Sequence, residues 1–452
     1  MAVLVCDAIP GKGKTSACIN MMNRDLDSRF IFVTQYLTEV DRIKQGCAGR
    51  EFLSPERKYE NGFRKLSDIE DLLRKGKNIA TTHALFTSYT EDTKQYIRDG
   101  RYTLVLDEVV DVMGITKLAK CDIEVLFKGG VLKEDEGGVC EWDFEEYGDD
   151  KDGLFYDEML KARSKNFLHF MDRYFCWTIP PDLFTCFRNV YVLTYLFYGQ
   201  PLRCFFDVHG IGYSYIDVRE GADGYEFCGT GESSRSVELR DKIHVLAHDG
   251  ANSIGEGRTS LSFNWYRKES MKDGQPGLVK LKRSLQNVFR NVYHCSANEN
   301  LWTTYKAFAG SVKGKGYWTS FISYNKRASN EYADRRYLAY LVNNFPRPWE
   351  AEYYRARDSD MSSGTYALSI LIQWVFRSAI RNGQEVWLYL PSARMRGLLA
   401  GWLEALAKGE DLQYIRDLAV EEREIRNKKQ SIKQSAILQK TEYLRGFKGR
   451  GS

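Results

Sequence analysis

The chain has 452 residues, of which 43% are hydrophobic and 13% aromatic, so it can fill more than one domain core. Its formal net charge is only +4, which excludes a uniformly basic or acidic protein. There is no apolar run near 18 residues and no leader of the secretory type, so we expect no membrane contact and a cytoplasmic location. The ten cysteines form no C-x-x-C pair, which argues against a zinc site and favours reduced thiols.

The first motif in the chain is a glycine-rich segment at residues 8–15, Ala-Ile-Pro-Gly-Lys-Gly-Lys-Thr. It matches the phosphate-binding loop pattern, with Ala8 in place of the usual first glycine. An apolar run precedes it at residues 2–6, and a segment suited to a helix follows it. Strand, loop and helix in this order are the context that the motif requires.

The residue types in this segment predict nucleotide binding. Gly11 and Gly13 allow backbone N–H groups to surround phosphate oxygens, and a helix that begins near Lys14 directs its positive end at the anion. Lys14 is expected to reach the β- and γ-phosphates of ATP, and the Thr15 hydroxyl to bind Mg²⁺. The full set of predicted nucleotide-binding residues is Gly11, Lys12, Gly13, Lys14, Thr15 and Ser16.

Further apolar runs alternate with helical patterns, which indicates parallel α/β sheets. In the first half we expect strands at 30–34, 78–83, 102–106 and 190–195, and in the second half at 242–246, 292–295, 317–322 and 385–390. Residues 134–158 contain twelve Asp or Glu and one Lys, which marks an acidic insertion at about 133–160. From Arg423 to the end, nine Lys or Arg face two Glu, which marks a basic tail suited to nucleic acid or to a solvated helix.

An acidic pair, Asp107-Glu108, directly follows the strand at 102–106. In a phosphate-loop enzyme such a strand lies beside the loop, and its terminal Asp107 holds Mg²⁺. Glu108 is then placed to take a proton from an attacking water, which favours hydrolysis over transfer to a metabolite.

With these features in order, the chain resembles superfamily 2 helicases, with Asp107-Glu108-Val109-Val110 in place of their DEAD or DEAH box. Short segments fall where that family has its other motifs. They are Thr34-Gln35, Thr81-Thr82-His83, Leu193-Thr194-Tyr195, Ser260-Leu261-Ser262 and 325–330. The resemblance implies nucleic-acid contacts by Thr34, Thr82, His83, Ser262 and Asn330, and a coupling role for the segment around Thr194.

The segment 373–381 is similar to the family pattern Gln-x-x-Gly-Arg-x-x-Arg, with Phe376 in place of Gly and the second Arg one residue late. On a continuous helix, offsets of four and eight place Gln373, Arg377 and Arg381 on one face. The resemblance implies catalytic roles for all three, with Arg377 as an arginine finger that stabilises the phosphoryl transition state.

The resemblance implies two RecA-like α/β domains in tandem, at 1–205 and 206–410, followed by a charged helical tail at 411–452. The implied activity is ATP hydrolysis, with Mg²⁺, between the two domains, which drives a helicase or translocase along nucleic acid. DNA is favoured over RNA, a monomer over an oligomer, and a phage or mobile-element branch with a role in DNA replication over a cellular one. The acidic insertion is a candidate surface for a protein partner.

Two alternatives differ in class. A ring-forming packaging or loading ATPase would take its arginine finger from a neighbouring subunit, and a non-catalytic helicase-like module would only bind partners. The presence of Arg377 in the same chain favours the monomeric motor over the ring. The intact Lys14, Thr15, Asp107 and Glu108 favour the motor over the binding module, whereas Tyr195 and Phe376 depart from the family pattern.

Overall fold

The computed structural model describes residues 1–452 except 57–64, 117, 149–153, 164–165, 171–173, 233–236, 326–330 and 449–452. The described residues form two compact units. Of the described residues, the first unit contains those at 1–232 and 347–359, and the second contains those at 237–325, at 331–346 and from 360 onward.

The strands of both units are short, as in most parallel α/β proteins. In chain order they are β1 (Ala2–Asp7), β2 (Phe30–Thr34), β3 (Phe52–Leu53), β4 (Asn78–Thr82), β5 (Thr103–Asp107), β6 (Met113–Ile115), β7 (Leu132–Glu134), β8 (Cys140–Trp142), β9 (Phe167–Phe170), β10 (Tyr174–Thr178), β11 (Asn189–Thr194), β12 (Ser214–Gly221), β13 (Gly224–Cys228), β14 (Ile243–Val245), β15 (Asn300–Thr303), β16 (Tyr337–Tyr340) and β17 (Val386–Tyr389).

Helices connect and cover these strands. In chain order they are α1 (Lys14–Arg24), α2 (Leu37–Gly46), α3 (Lys65–Arg74), α4 (His83–Phe86), α5 (Glu91–Gly100), α6 (Lys120–Lys128), α7 (Phe144–Tyr147), α8 (Tyr156–Arg163), α9 (Asp182–Thr185), α10 (Pro201–Val208), α11 (Asp249–Asn252), α12 (Phe263–Ser270), α13 (Pro276–Asn287), α14 (Ala309–Val312), α15 (Pro348–Arg355), α16 (Ser363–Val375), α17 (Ala393–Ala407) and α18 (Asp411–Lys448). No helix in the described part of the chain combines the length and the apolar character needed to cross a membrane.

The first unit is built on an eight-stranded sheet with the order β13-β12-β1-β11-β5-β2-β4-β3. Seven neighbouring strands run parallel, and β13 pairs antiparallel to β12 at one edge. Strands such as β2, in which every residue is buried, are continuous apolar runs because helices cover both faces of a parallel sheet. Five strands therefore end side by side at one edge, with the final residues Asp7, Thr34, Thr82, Asp107 and Thr194.

The acidic segment belongs to a larger insertion between β5 and β11. The insertion contains a three-stranded antiparallel sheet, β6-β10-β9, and a two-stranded sheet, β7-β8. It has its own apolar core, which includes Ile123, Leu132, Trp142 and Phe167. The predicted insertion at 133–160 is thus part of a small folded layer that starts near Met113.

The second unit has a four-stranded parallel sheet with the order β14-β17-β16-β15. The long helix α18 is part of this unit, because Ile415 and Ala419 are buried and Glu422 accepts hydrogen bonds from the Ser362 hydroxyl and the Gly364 N–H. Helix α18 begins at Asp411, where the charged helical tail was predicted, and its first turns pack onto the second unit.

The predicted α/β class with two mainly parallel sheets is confirmed. Several predicted boundaries differ from the structure. The first unit extends beyond residue 205, because β12 pairs with β1 and β13 with β12. It also takes in α15 from the second half of the chain. The predicted strand at 292–295 is wrong, because Val292 ends a wide helical turn that continues α13 and residues 293–295 form no strand. The segment at 317–322 forms only an isolated bridge between Phe321 and Trp302, while β15 and β16 were not predicted.

Candidate functional site

The site begins with the loop at residues 8–13, which joins β1 to α1. Gly11 and Gly13 adopt φ angles of 90° and 88°, in the left-handed region that a residue with a Cβ rarely enters. Helix α1 begins directly after Gly13, whose carbonyl accepts the first helical hydrogen bond from the Ala17 N–H at 2.8 Å. The loop therefore has the conformation that its glycines predict, at the positive end of a helix.

Lys14 is directed back into this loop. Its side chain is buried, and its ammonium group donates to the carbonyls of Ala8 and, at 3.3 Å, Ile9. Lys12 and Ser16 flank it with half-buried side chains. A buried ammonium group held by loop carbonyls is a positive charge fixed at the centre of the loop.

Asp107 ends β5 close to the start of α1, although β11 lies between β5 and β1 in the sheet. Its carboxylate accepts hydrogen bonds from the hydroxyls of Thr15 at 3.5 Å and Thr34 at 3.4 Å. Burial and the neighbouring charge of Glu108 raise the pKa of Asp107 to about 7, whereas Lys14 acts to lower it. A cation that binds beside Asp107 would therefore stabilise the ionised form of this carboxyl group.

Glu108 is held in an unusual backbone conformation. Its φ angle is 64°, which is uncommon and strained for a residue other than glycine. The Glu108 N–H donates to the Leu193 carbonyl at 2.9 Å, and its carboxylate accepts from the Thr194 hydroxyl at 3.4 Å. Two contacts with the end of β11 thus fix both the backbone and the side chain of Glu108.

Two residues that the sequence analysis did not single out organise the same sheet edge. Asp7, the last residue of β1, accepts hydrogen bonds from the N–H groups of Leu196 at 2.7 Å and Phe197 at 3.1 Å. Gln200 donates its amide to the Thr194 hydroxyl at 3.0 Å. A carboxylate at the end of an otherwise apolar strand was the available signal for Asp7, whereas Gln200 had none.

Three residues predicted to contact nucleic acid, Thr34, Thr82 and His83, lie at this edge of the sheet. Thr34 has no exposed surface and its hydroxyl is bonded to Asp107, and its contact with nucleic acid stays a prediction. The His83 ring donates from Nε2 to the Asp107 carbonyl at 3.1 Å, and Thr82 precedes it at the end of β4, half-buried. Both remain predictions as nucleic-acid contacts.

The remaining two such predictions fall in the second half of the chain. Ser262 is buried, and its hydroxyl caps α12 by accepting from the Trp265 N–H at 3.3 Å. The structure therefore gives Ser262 a role in helix capping, and its contact with nucleic acid stays a prediction. Asn330 lies outside the described residues.

The predicted helical face of Gln373, Arg377 and Arg381 is wrong, because α16 ends at Val375. After Val375 the backbone tightens, because the Arg377 N–H donates to the Trp374 carbonyl three residues back, at 3.1 Å. The Ala379 N–H then donates to the Arg335 carbonyl at 2.9 Å and not to a carbonyl of α16.

The Val375 carbonyl accepts from both the N–H group of Ser378, at 3.1 Å, and its hydroxyl, at 2.6 Å. Gln373 thus lies in the last turn of α16, buried Arg377 in the turn that follows, and half-buried Arg381 in a short 3₁₀ helix.

The fold and the site define a two-unit α/β protein of the parallel-sheet class, with a glycine-rich loop set beside an Asp-Glu pair.

Comparison with known proteins gives the family. Residues 237–403 match the model of the YonV C-terminal Rossmann-like domain. The chain is 37% identical over 410 residues to the SPbeta prophage-derived uncharacterized protein YonV of Bacillus subtilis strain 168, covering 89% of this chain and 98% of that protein. The chain therefore belongs to the YonV family.

Among solved structures, the chain is similar to Xpd4 of S. tokodaii, with 13% identity, a TM-score of 0.44, and coverage of 88% of this chain and 93% of that one. A second similar structure is an apo form of XPD, with 13% identity, a TM-score of 0.41, and coverage of 88% and 95%.

Proposed function

We propose that this protein is a nucleoside-triphosphate hydrolase that uses ATP to move along nucleic acid, with DNA favoured over RNA. The observation that carries the proposal is the meeting of the Thr15 hydroxyl with the Asp107 carboxylate, 3.5 Å apart, beside a loop that encloses the ammonium group of Lys14. These residues come from segments 92 positions apart, and the fold brings them to one point.

The loop at 8–13 is suited to the phosphates of the substrate. Gly11 and Gly13 have no Cβ atom beside their N–H groups, and their positive φ angles give the loop a backbone conformation suited to an anion-binding nest. Lys14 would exchange its bonds to the Ala8 and Ile9 carbonyls for bonds to phosphate oxygens. The positive charge of Lys14 would stabilise the negative charge that develops on the phosphate oxygens in the transition state.

The oxygen donors beside the loop fit Mg²⁺. Thr15 and Asp107 offer a hydroxyl and a carboxylate, which are the ligand types that this hard cation prefers. The cation would neutralise charge on the phosphates. The carboxylate has its pKa raised to about 7 by burial and by Glu108, so a bound cation would also relieve an unfavourable charge.

Glu108 is the candidate general base. Its side chain is anchored by the Thr194 hydroxyl on β11, and Gln200 in turn donates to that hydroxyl. This chain of contacts supports the coupling role that the helicase resemblance implied for Thr194, because a shift of β11 would move Glu108.

The nucleic-acid part of the proposal rests on the helicase resemblance, including the segment around Arg377. The basic stretch from Arg423 adds seven net positive charges that could contact phosphates. A prophage-derived relative supports a role in a phage or mobile-element process such as DNA replication.

ATP hydrolysis in the presence of single-stranded DNA, duplex DNA or RNA, and without any polymer, tests the proposal. We expect at least one polymer to stimulate the wild type, and we expect Glu108→Gln, which keeps the size of the side chain, to remove the activity. Hydrolysis that no polymer changes would contradict the motor function. Polymer binding without any hydrolysis would instead favour the non-catalytic module.

A further inference from the structure

The hairpin formed by β12 and β13 extends the large sheet of the first unit beyond β1, on the side of the sheet away from Asp107. Strand β13 lies along α1, and Tyr225 of this strand contacts the glycine-rich loop. A Cβ built on Gly13 would lie only 2.4 Å from the Cδ1 atom of the Tyr225 ring. The ring therefore packs directly against the Cα of Gly13, and position 13 requires glycine for its φ angle and for this contact.

Two contacts with α1 fix the hairpin in this position. The Asn20 side-chain amide donates to the Tyr225 carbonyl at 2.9 Å, and Arg24 forms an ion pair with Asp223 at 3.2 Å. The Tyr225 ring itself is half-buried, so part of it remains accessible beside the loop. An aromatic ring held in advance loses little conformational entropy when a ligand packs on it.

We infer that Tyr225 provides the contact for the nucleobase of the nucleotide whose phosphates occupy the loop at 8–13. The inference rests on the proposed nucleotide-binding function and adds to it the residue that holds the base. Ribose and base extend from the phosphates over a few ångströms, and the Tyr225 ring is in van der Waals contact with the loop itself. A partly exposed aromatic ring stacks on any base, because every base has a π-face.

The chemistry of Tyr225 also predicts how selective the site is. Stacking on an aromatic ring does not read the hydrogen-bonding edge of a base. The Asn20 amide, which could have read that edge, is already bonded to the hairpin backbone. We therefore expect purine nucleoside triphosphates to bind with affinities within a few-fold of one another.

The competing explanation is that Tyr225 only supports the loop from behind. Binding of a nonhydrolysable ATP analogue and of inorganic tripolyphosphate, each with Mg²⁺, separates the two roles, because tripolyphosphate has no base. The full-length chain is compared with Tyr225→Leu, which keeps most of the side-chain bulk, and Tyr225→Phe, which keeps the ring. Phe227→Leu is the matched control, since Phe227 lies two residues along β13 and packs on Tyr191, with ring centroids 5.6 Å apart.

We expect Tyr225→Leu to weaken binding of the ATP analogue by about tenfold or more, while tripolyphosphate binding changes less than twofold. Tyr225→Phe and Phe227→Leu should leave both affinities close to the wild-type values. Equal losses for both ligands in Tyr225→Leu, or no loss for either, would overturn the inference.

A measurement on the wild type alone tests the inference even if a variant does not fold. Ribose 5-triphosphate should bind at least tenfold more weakly than the ATP analogue, and equal affinities would overturn the base contact. Binding of tripolyphosphate and ATP analogue with equal strength overturns the role of Tyr225 but leaves the loop function intact. Failure of the wild type to bind any of the three ligands overturns the proposed function itself.

Discussion

The two motif regions of this chain differ in how their residues are used. At the sheet edge of the first unit, Lys14, Thr15 and Asp107 lie within one set of contacts around the glycine-rich loop. In the second unit, the segment that contains Gln373 and Arg377 leaves its helix at Val375, so the predicted common face does not form.

The difference shows which motifs carry their own geometry. The loop is defined by two glycines with positive φ angles, and eight consecutive residues are enough to specify it. The Gln/Arg pattern depends on a helix that continues, but the backbone tightens after Val375 and the Ala379 N–H bonds to the distant Arg335 carbonyl. A motif that depends on a continuous helix is therefore predicted less reliably from residue spacing than a glycine-rich loop.

The largest effect is expected at the sheet edge of the first unit. Lys14→Ala removes the positive charge from the loop, and Glu108→Gln removes the base, so each should reduce ATP turnover to background, a loss of at least about 10² to 10⁴. Steady-state phosphate release measures this, with circular dichroism to verify folding. Turnover within tenfold of the wild type in both variants would show that the two residues are not part of a catalytic site.

Arg377 tests the region in the second unit. If the arginine-finger role implied by the helicase resemblance holds, Arg377→Ala should lower turnover by about 10³-fold and change the dissociation constant for an ATP analogue only a few-fold. Arg377→Lys is the matched control for charge and is expected to restore little, because a single ammonium group lacks the planar fork of guanidinium. Unchanged turnover in Arg377→Ala would assign this buried side chain to the fold alone.

The raised pKa of Asp107 gives a stability prediction with a defined sign. Because burial and Glu108 raise this pKa to about 7, the folded chain binds the proton more tightly than the unfolded chain, and stability is lost as the pH rises towards 7. The side chain in Asp107→Asn cannot ionise, so the variant should not lose this stability. The difference in free energy of unfolding, variant minus wild type, should rise by about 1 to 3 kcal/mol from pH 5 to pH 8. Urea titrations of both proteins at both pH values measure this difference. The same difference at pH 5 and at pH 8 would refute the prediction.

The smallest effect concerns Ser262, which was predicted to contact nucleic acid and is found to cap α12. Ser262→Ala should lower the free energy of unfolding by about 1 kcal/mol, because it removes the cap, and should leave polymer stimulation of ATP hydrolysis unchanged. Ser262→Asp restores a capping oxygen and should recover the stability. A selective loss of stimulation in Ser262→Ala would return this residue to the nucleic-acid interface.

The sequence was sufficient for features that depend on local pattern. The apolar strands β1, β2 and β5, the glycine-rich loop after β1 and the α/β class all follow from residues that lie together in the chain. The strand β15 was missed because its four residues, all buried, carry polar ends, whereas the more aromatic run at 317–322 forms only a bridge. Tertiary packing decided between these two segments, and periodicity does not report it.

Long-range contacts account for the rest of what sequence reasoning missed. Asp7, Gln200 and Tyr225 take their roles from partners that are distant in the chain or in a neighbouring element. Thr34 was assigned to nucleic acid by its motif position, but its burial against Asp107 gives it a place beside the candidate metal ligand. Only the three-dimensional arrangement could make that distinction.

Calorimetric titration of a nonhydrolysable ATP analogue with Mg²⁺ into the wild type and into Lys14→Ala tests the central claim most directly. The account predicts saturable one-to-one binding to the wild type that requires the cation, and a loss of at least about tenfold in affinity for the variant. Equal binding by both proteins, or binding that ignores Mg²⁺, would contradict the assignment of Lys14, Thr15 and Asp107 as the triphosphate site.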